Sequence, residues 1–385
     1  MIQFEFATAA RIIFGTGSLG HLESLMAGMG RRALVVLGGS GQRAEPVIQH
    51  LVFNSIAYTT FNVLGEPTTA TAREGTALAR REGCDFVIGI GGGSVIDAGK
   101  AIAALLTNGG DPLDYLEVIG RGQPLTQAAA PYIAIPTTAG TGAEVTRNAV
   151  LGSPEHLVKV SLRSPLMLPA VALIDPELTV TLPPPITAST GLDALTQVIE
   201  PYVSPQATPL TDGFCLDGMH RAARSLRTAY RNGDDLDARE DMALASLEGG
   251  LALANAKLGA VHGFAGVFGG MFDSPHGAVC AALLPPVMEV NLRALIERQP
   301  DSEALYRYEE IAQILTGDPD ATALDGVVWV EKLVEDLLIP GLGSYGLTKA
   351  DFPALIQKAG RSSSMKGNPI KLTDEELAEI LEKAI

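Results

Sequence analysis

A chain of 385 residues with 46% hydrophobic and 19% charged side chains exceeds one ordinary core and suits two globular domains. The formal net charge of −16 excludes nucleic acid and anionic membrane as partners, because their phosphates would be repelled. A phosphate-bearing cofactor stays open, since local backbone dipoles override the global field.

Three scattered cysteines, Cys84, Cys215 and Cys280, have no CxxC spacing and read as reduced thiols. The N-terminus shows no export signal, and no uninterrupted apolar run of ~18 residues is present, so a cytoplasmic protein without a membrane span is expected.

The first half alternates strands with helices. Residues 33–37, 86–90, 132–135 and 171–174 are short charge-free runs, as expected for parallel strands covered on both faces. A helix over 94–106 separates two of them, and the series predicts a doubly wound α/β sheet. The first run ends at Gly38, where dinucleotide folds usually carry an acidic residue for the adenosine ribose. With Gly38 in that place, and Ser40 and Arg43 following, a 2′-phosphate is accommodated, so NADP is favoured over NAD.

The second run leads into Gly91, Gly92, Gly93 and Ser94. Missing Cβ atoms there let the backbone approach a pyrophosphate at a helix N-terminus. The third leads into residues 136–144, whose threonines and glycines face the same sheet edge, where ligands of such sheets bind.

Composition shifts at the prolines 183–185. The boundary therefore separates an α/β domain, 1–183, from an all-helical domain, 184–385. Helical patterns run over 187–203, 207–231 and 237–257, with Thr187 or Ser189 as candidate starts of the first. Thr373 and Glu376 have the spacing of a capping box for the last helix.

This half carries the metal chemistry. Asp193 and Gln197 share a helix face at i,i+4. His262 and His276 are each followed by glycine, and the glycine-rich interval between them reads as a loop returning the second imidazole to the first. Three ligands, Asp193, His262 and His276, plus an open position fit a catalytic divalent metal, Fe or Zn, that polarises an alcohol or carbonyl oxygen. Gln197 offers a weaker carbonyl oxygen or a hydrogen bond to a metal-bound water. Phe264, Phe268, Met271 and Phe272 hint at an apolar pocket, but their spacing is more often that of a core.

With these residues assembled, the chain resembles the iron-containing (group III) alcohol dehydrogenases along essentially its whole length. The motifs are Ile-Phe-Gly-Thr-Gly (13–17), Gly-Gly-Gly-Ser-Val-Ile-Asp-Ala-Gly-Lys (91–100), Ile-Pro-Thr-Thr-Ala-Gly-Thr-Gly-Ala-Glu-Val-Thr (135–146), Leu-Ile-Asp-Pro-Glu-Leu-Thr (173–179), Thr-Gly-Leu-Asp-Ala-Leu-Thr (190–196) and Pro-His-Gly (275–277). The resemblance implies a nicotinamide-dependent enzyme interconverting an alcohol and an aldehyde or ketone, with its site in an interdomain cleft and a homodimer or larger assembly. It implies cofactor contacts from residues 91–94 and Asp97, from Thr137, Thr138, Thr141, Asn148 and Lys159, and from Leu178 near adenine or ribose. It maps the metal set onto Asp193, Gln197, His262 and His276. Two positions depart from the family pattern: Gln197 stands where a histidine is usual, and Gly266 where a further histidine lies near the substrate. Those departures keep three alternatives in view. They are a metal-independent, maleylacetate-reductase-like enzyme, a nucleotide-binding protein without catalysis, and a dehydroquinate-synthase-like cyclase, for which no basic cluster near the metal residues speaks.

Overall fold

Period-two alternation of apolar side chains builds the first half of the protein. The computed structural model describes residues 3–39, 41–156 and 158–385. Eight strands occur among them, β1 (Ile12–Phe14), β2 (Arg32–Gly38), β3 (Ala57–Val63), β4 (Phe86–Gly91), β5 (Tyr132–Pro136), β6 (Asn148–Ser153), β7 (Val158–Arg163) and β8 (Val171–Ile174). Six of them form one parallel sheet in the order β1-β8-β5-β4-β2-β3, whereas β6 and β7 pair as an antiparallel hairpin. The helices of this unit are α1 (Leu22–Met26), α2 (Glu45–Phe53), α3 (Thr69–Glu82), α4 (Gly93–Asn108) and α5 (Pro112–Tyr115).

In β2, Ala33, Val35 and Leu37 point into one core with Val47 and Leu51 of α2. Leu34 and Val36 point into the opposite core with Ile96 and Ile102 of α4. Each such buried aliphatic side chain contributes roughly 1.5–3 kcal/mol of transfer free energy, and a one-residue slip would exchange the two faces. The expected doubly wound sheet is therefore present. The chain steps outward from β2 to β3 and then returns to β4 on the other side of β2. That reversal opens a crevice beyond the carboxyl ends of β2 and β4.

The sheet unit comprises Ala7–Thr138 and Gly142–Val180. The helical unit runs from Thr181 to Ile385 and also includes Ala139–Thr141 and a short N-terminal piece ending at Phe6. Its helices are α6 (Pro184–Val203), α7 (Pro209–Arg231), α8 (Leu236–Ala256), α9 (Ala260–Met271), α10 (His276–Arg298), α11 (Glu303–Thr316), α12 (Ala323–Asp336), α13 (Phe352–Ala359) and α14 (Asp374–Lys383). Helix α6 starts at Pro184, three residues before Thr187, because proline fits the first turn, where its missing N–H has no intrahelical partner. The Thr373–Glu376 capping box forms as its spacing predicts.

Helix α10 has the length and apolarity of a membrane span, although no uninterrupted apolar run marks it in the sequence. Burial explains that composition: 78% of its apolar window lies inside the protein, and a helix surrounded by neighbours is apolar on every face. Leu283, Leu284, Val287 and Leu295 of α10 join Phe264 and Phe268 of α9 in the core.

Candidate functional site

Three helices bring four ligating side chains together. Asp193 sits on α6, His262 on α9, and His276 and Cys280 on α10, one helical turn apart on the same face. Their ligating atoms all lie within 4.8 Å of one another. Asp193 Oδ1 is 3.4 Å from His262 Nε2 and 3.9 Å from His276 Nε2. Cys280 Sγ is 3.8 Å from His262 Nε2 and 3.6 Å from His276 Nε2.

Asp193 Oδ1 is buried and accepts no hydrogen bond. An unpaired buried polar group costs about 1–3 kcal/mol, and more when charged, so this oxygen needs a cation. The chemistry of the donor set, two imidazoles, a carboxylate and a thiol, fits a divalent transition metal. Burial alone would lower the pKa of both imidazoles, yet the neighbouring Cys280 and Asp193 side chains raise it, His276 to about 9. Against burial, His262 and His276 hold the Asp193 carboxyl below its ordinary value. The cluster thus attracts positive charge, and a metal would compete with protons for it.

Glu200 orients the site. Its Oε2 is 2.7 Å from His262 Nδ1 and its Oε1 accepts the Val261 N–H at 2.7 Å. A carboxylate only accepts, so Nδ1 carries a proton, and Nε2, which faces Asp193 and Cys280, is the nitrogen at which a metal would replace a proton. Sequence reasoning did not single out Glu200 or Cys280. Each had a signal in its spacing, seven residues beyond Asp193 on α6 and four beyond His276 on α10. Gln197 commits its amide nitrogen, which donates to the Gly140 carbonyl and lies 3.4 Å from the Asp193 carbonyl.

The interval between the histidines is not the loop that its glycines suggest. Gly263, Gly266, Gly269 and Gly270 all lie within α9, and only residues 272–275 connect it to α10. Tertiary packing overrides the low helix propensity of glycine here. A Cβ on Gly263 would approach Met365 to 2.9 Å, and one on Gly277 would meet the Ser189 carbonyl at 2.3 Å. The bare Gly277 lets α10 approach α6, which carries His276 to Asp193. Phe264 and Phe268 are fully buried core residues, and Phe268 stacks on Phe272 at 4.6 Å.

The sheet unit presents the nucleotide loops. Gly91 pairs with Pro136 in register, and its carbonyl accepts the Thr137 N–H at 2.9 Å. Gly92 caps α4 without a side-chain hydrogen bond, and a Cβ on it would touch Thr138 at 3.4 Å. Gly92, Gly93, Ser94, Thr137 and Thr138 thus share one edge of the sheet. A Cβ on Gly38 would meet Val95 at 2.9 Å, and one on Gly91 would meet it at 2.5 Å, so both glycines are fitted to the first turn of α4.

Asp97 is held by the protein. Its Oδ2 accepts the Val150 N–H at 3.0 Å, and Oδ1 pairs with the fully buried Lys100 at 3.0 Å. Burial raises the Asp97 pKa, and Lys100 opposes that rise. Lys100 also donates to the Ala143 carbonyl and to Thr146 Oγ1. These bonds brace the β6–β7 hairpin, on which Asn148 pairs with Arg163 and Lys159 pairs with Gly152. Lys159 Nζ lies 3.7 Å from Glu66. Leu178 packs from a 3₁₀ turn, Pro176–Thr179, against the Leu37 side of the sheet. Thr141 belongs to the tripeptide Ala139–Thr141 of the helical unit, and Ser40 lies outside the described residues.

The whole chain has counterparts among known proteins. Residues 9–176 match the family described as iron-containing alcohol dehydrogenase, and residues 187–385 match that family's C-terminal region. The 1,3-propanediol dehydrogenase of Citrobacter freundii is 38% identical over 363 residues, 92% of each chain. That of Klebsiella pneumoniae is 40% identical over 319 residues, covering 83% of this chain and 80% of the relative. The crystal structure of a 1,3-propanediol oxidoreductase superposes over all of both chains with a TM-score of 0.91 at 34% identity. An alcohol dehydrogenase from Oenococcus oeni does so with a TM-score of 0.91 at 32% identity. With a parallel sheet edged by glycine turns and a buried Asp–His–His cluster on helices, the chain belongs to the iron-containing alcohol dehydrogenase family and is an alcohol oxidoreductase.

Proposed function

We propose that the protein is an NAD(P)-dependent dehydrogenase of primary alcohols, working reversibly with the corresponding aldehydes and assisted by a divalent metal. The observation that carries this reading is the buried, unpartnered Asp193 Oδ1 converging with His262 and His276. Relatives are named for 1,3-propanediol, choline, long-chain alcohols and methanol, all of them primary alcohols. When bound, the metal supplies Lewis-acid polarisation of the substrate oxygen.

The remaining work falls to the chain itself. Backbone N–H groups at the start of α4 would hold the cofactor pyrophosphate, where the helix dipole favours negative charge. A bound nicotinamide would supply the hydride acceptor for the carbinol carbon, and the hydroxyl proton would leave to solvent, since Gly266 offers no base. Thr137 and Thr138 line the glycine turn, and Gly140 accepts from Gln197 one turn after Asp193. NADP is favoured over NAD, because Gly38 leaves no carboxylate to repel a 2′-phosphate, and a Cβ there would meet Val95 at 2.9 Å. The reading includes a cytoplasmic homodimer as the smallest assembly, and three buried, unpaired cysteines suit a reducing compartment.

Reduced-nicotinamide absorbance with a panel of primary alcohols tests the proposal. Turnover faster with NADP⁺ than with NAD⁺, lost on chelation and restored by zinc or iron(II), is expected. Tight nucleotide binding without turnover across the panel would overturn it, and turnover indifferent to chelation would point to the metal-independent alternative.

A further inference from the structure

Cys280 is the group in the cluster that the family pattern leaves without a role. Its sulfur is fully buried, one helical turn from His276, with an imidazole nitrogen on each side. Cys84 and Cys215 are also buried, but neither joins a cluster of metal-ligating groups among the described residues.

The spacing matches a tetrahedral metal polyhedron. Zinc bonds of ~2.3 Å to sulfur and ~2.0–2.2 Å to nitrogen and oxygen place tetrahedral ligands about 3.4 Å (N to O) and about 3.6 Å (N to S) apart. The corresponding separations here are 3.4 and 3.9 Å from Asp193 Oδ1 to the two imidazoles, and 3.8 and 3.6 Å from Cys280 Sγ. Four of the six edges of such a tetrahedron thus already lie near the required lengths, and all four donor atoms lie within 4.8 Å of one another. Asp193 Oδ1 is moreover buried and accepts no hydrogen bond, which suits a cation at the centre of the four. Gln197, by contrast, commits its amide nitrogen to the Gly140 carbonyl.

We propose that Cys280 is the fourth protein ligand, completing an Asp193–His262–His276–Cys280 set that favours zinc over iron(II). The proposal rests on the metal reading given above. A thiolate is a soft donor that selects zinc more strongly than an all-nitrogen and oxygen set does. On metal binding the thiol releases one proton to solvent and sulfur donates a lone pair to the ion, with no change of oxidation state. Zinc sites expand to five ligands in some catalytic steps, so a fourth protein donor leaves the Lewis-acid role available.

Cobalt(II) substitution of the full-length apoprotein tests this. Wild-type protein should bind one equivalent of cobalt with a near-ultraviolet thiolate-to-cobalt charge-transfer band. Cys280→Ser should lose the band, release one proton fewer per metal, and bind cobalt or zinc at least about 100-fold more weakly, beyond the 10–100-fold typical of outer partners. Cys84→Ser should keep the band. X-ray absorption of zinc-loaded wild-type protein gives a second readout that depends on no variant: a sulfur neighbour at ~2.3 Å is expected. One equivalent of cobalt bound without a thiolate band, and zinc without a sulfur neighbour, would overturn the role of Cys280 and leave the metal reading standing. Failure to bind any divalent metal would overturn both.

Discussion

The nucleotide loops and the metal cluster are built on opposite plans. The loops work through side chains that are missing: Gly38 and Gly91 clear space for Val95, and Gly92 starts α4 with its N–H groups uncovered. Each loop is contiguous in sequence and follows directly from a strand. The cluster works through side chains that are present, drawn from three helices and spread over almost ninety residues. A backbone site needs the right turn; a side-chain site needs the right packing of whole helices. The first is robust to distant changes, and the second depends on contacts such as Gly277 on Ser189.

That contrast can be broken at several points. The largest effect is expected at the cluster: His276→Ala should lower kcat/KM on the order of 10³-fold, the several kcal/mol attributed to Lewis-acid stabilisation, while nucleotide affinity measured by fluorescence stays unchanged. Parallel loss of nucleotide binding would show that the two plans are not separable.

Next in size is a pH effect in the sheet unit. Glu144 is buried beside Lys100, and burial raises its pKa from 4.5 to about 7. Between those values the native state binds the proton that the unfolded chain has released. Stability from this group is therefore fully present below about pH 4.5 and is lost as pH rises to about 7, on the order of 3 kcal/mol in all. Denaturant midpoints for wild type and Glu144→Gln should converge at low pH and separate above neutrality, the variant being the more stable.

Glu200→Gln removes the carboxylate behind His262 and should weaken metal affinity 10–100-fold without removing a ligand. Competitive titration with a chromophoric chelator reads this directly. The smallest change should come from Gly91→Ala. Its Cβ would meet Val95 at 2.5 Å, a crowding worth about 1–2 kcal/mol that should raise the nucleotide Kd and leave metal stoichiometry at its wild-type value.

The two plans also explain what could be read from the sequence. Strands β2, β4, β5 and β8 were legible because burial on both faces leaves short uncharged, apolar runs. Strand β3 was not: it lies at the sheet edge, and Thr59, Thr60 and Asn62 break its apolar pattern. Strand β1, with three residues, is too short to show any period. Asp193, His262 and His276 stood out because the sequence has only six histidines. Cys280 did not, since an isolated buried thiol usually just fills space, and its place beside His276 follows only once α10 is known to begin at that residue. Glu200 needed knowledge of where α9 starts, because it binds that helix's first turn as well as His262. The glycines of α9 misled for a related reason: their helicity is set by close neighbours such as Met365, which local sequence does not report.

The tripeptide Ala139–Thr141 bears on how far this architecture is modular. It is encoded amid the strands, yet a Cβ on Gly140 would strike Thr190 of α6 at 2.8 Å, and its carbonyl accepts from Gln197. A helical half transplanted alone, cut at the prolines, would leave the buried Gln197 amide without its acceptor. Recombination between relatives would then succeed only when this tripeptide travels with the helices, so the gene for this enzyme is not divisible where its composition divides.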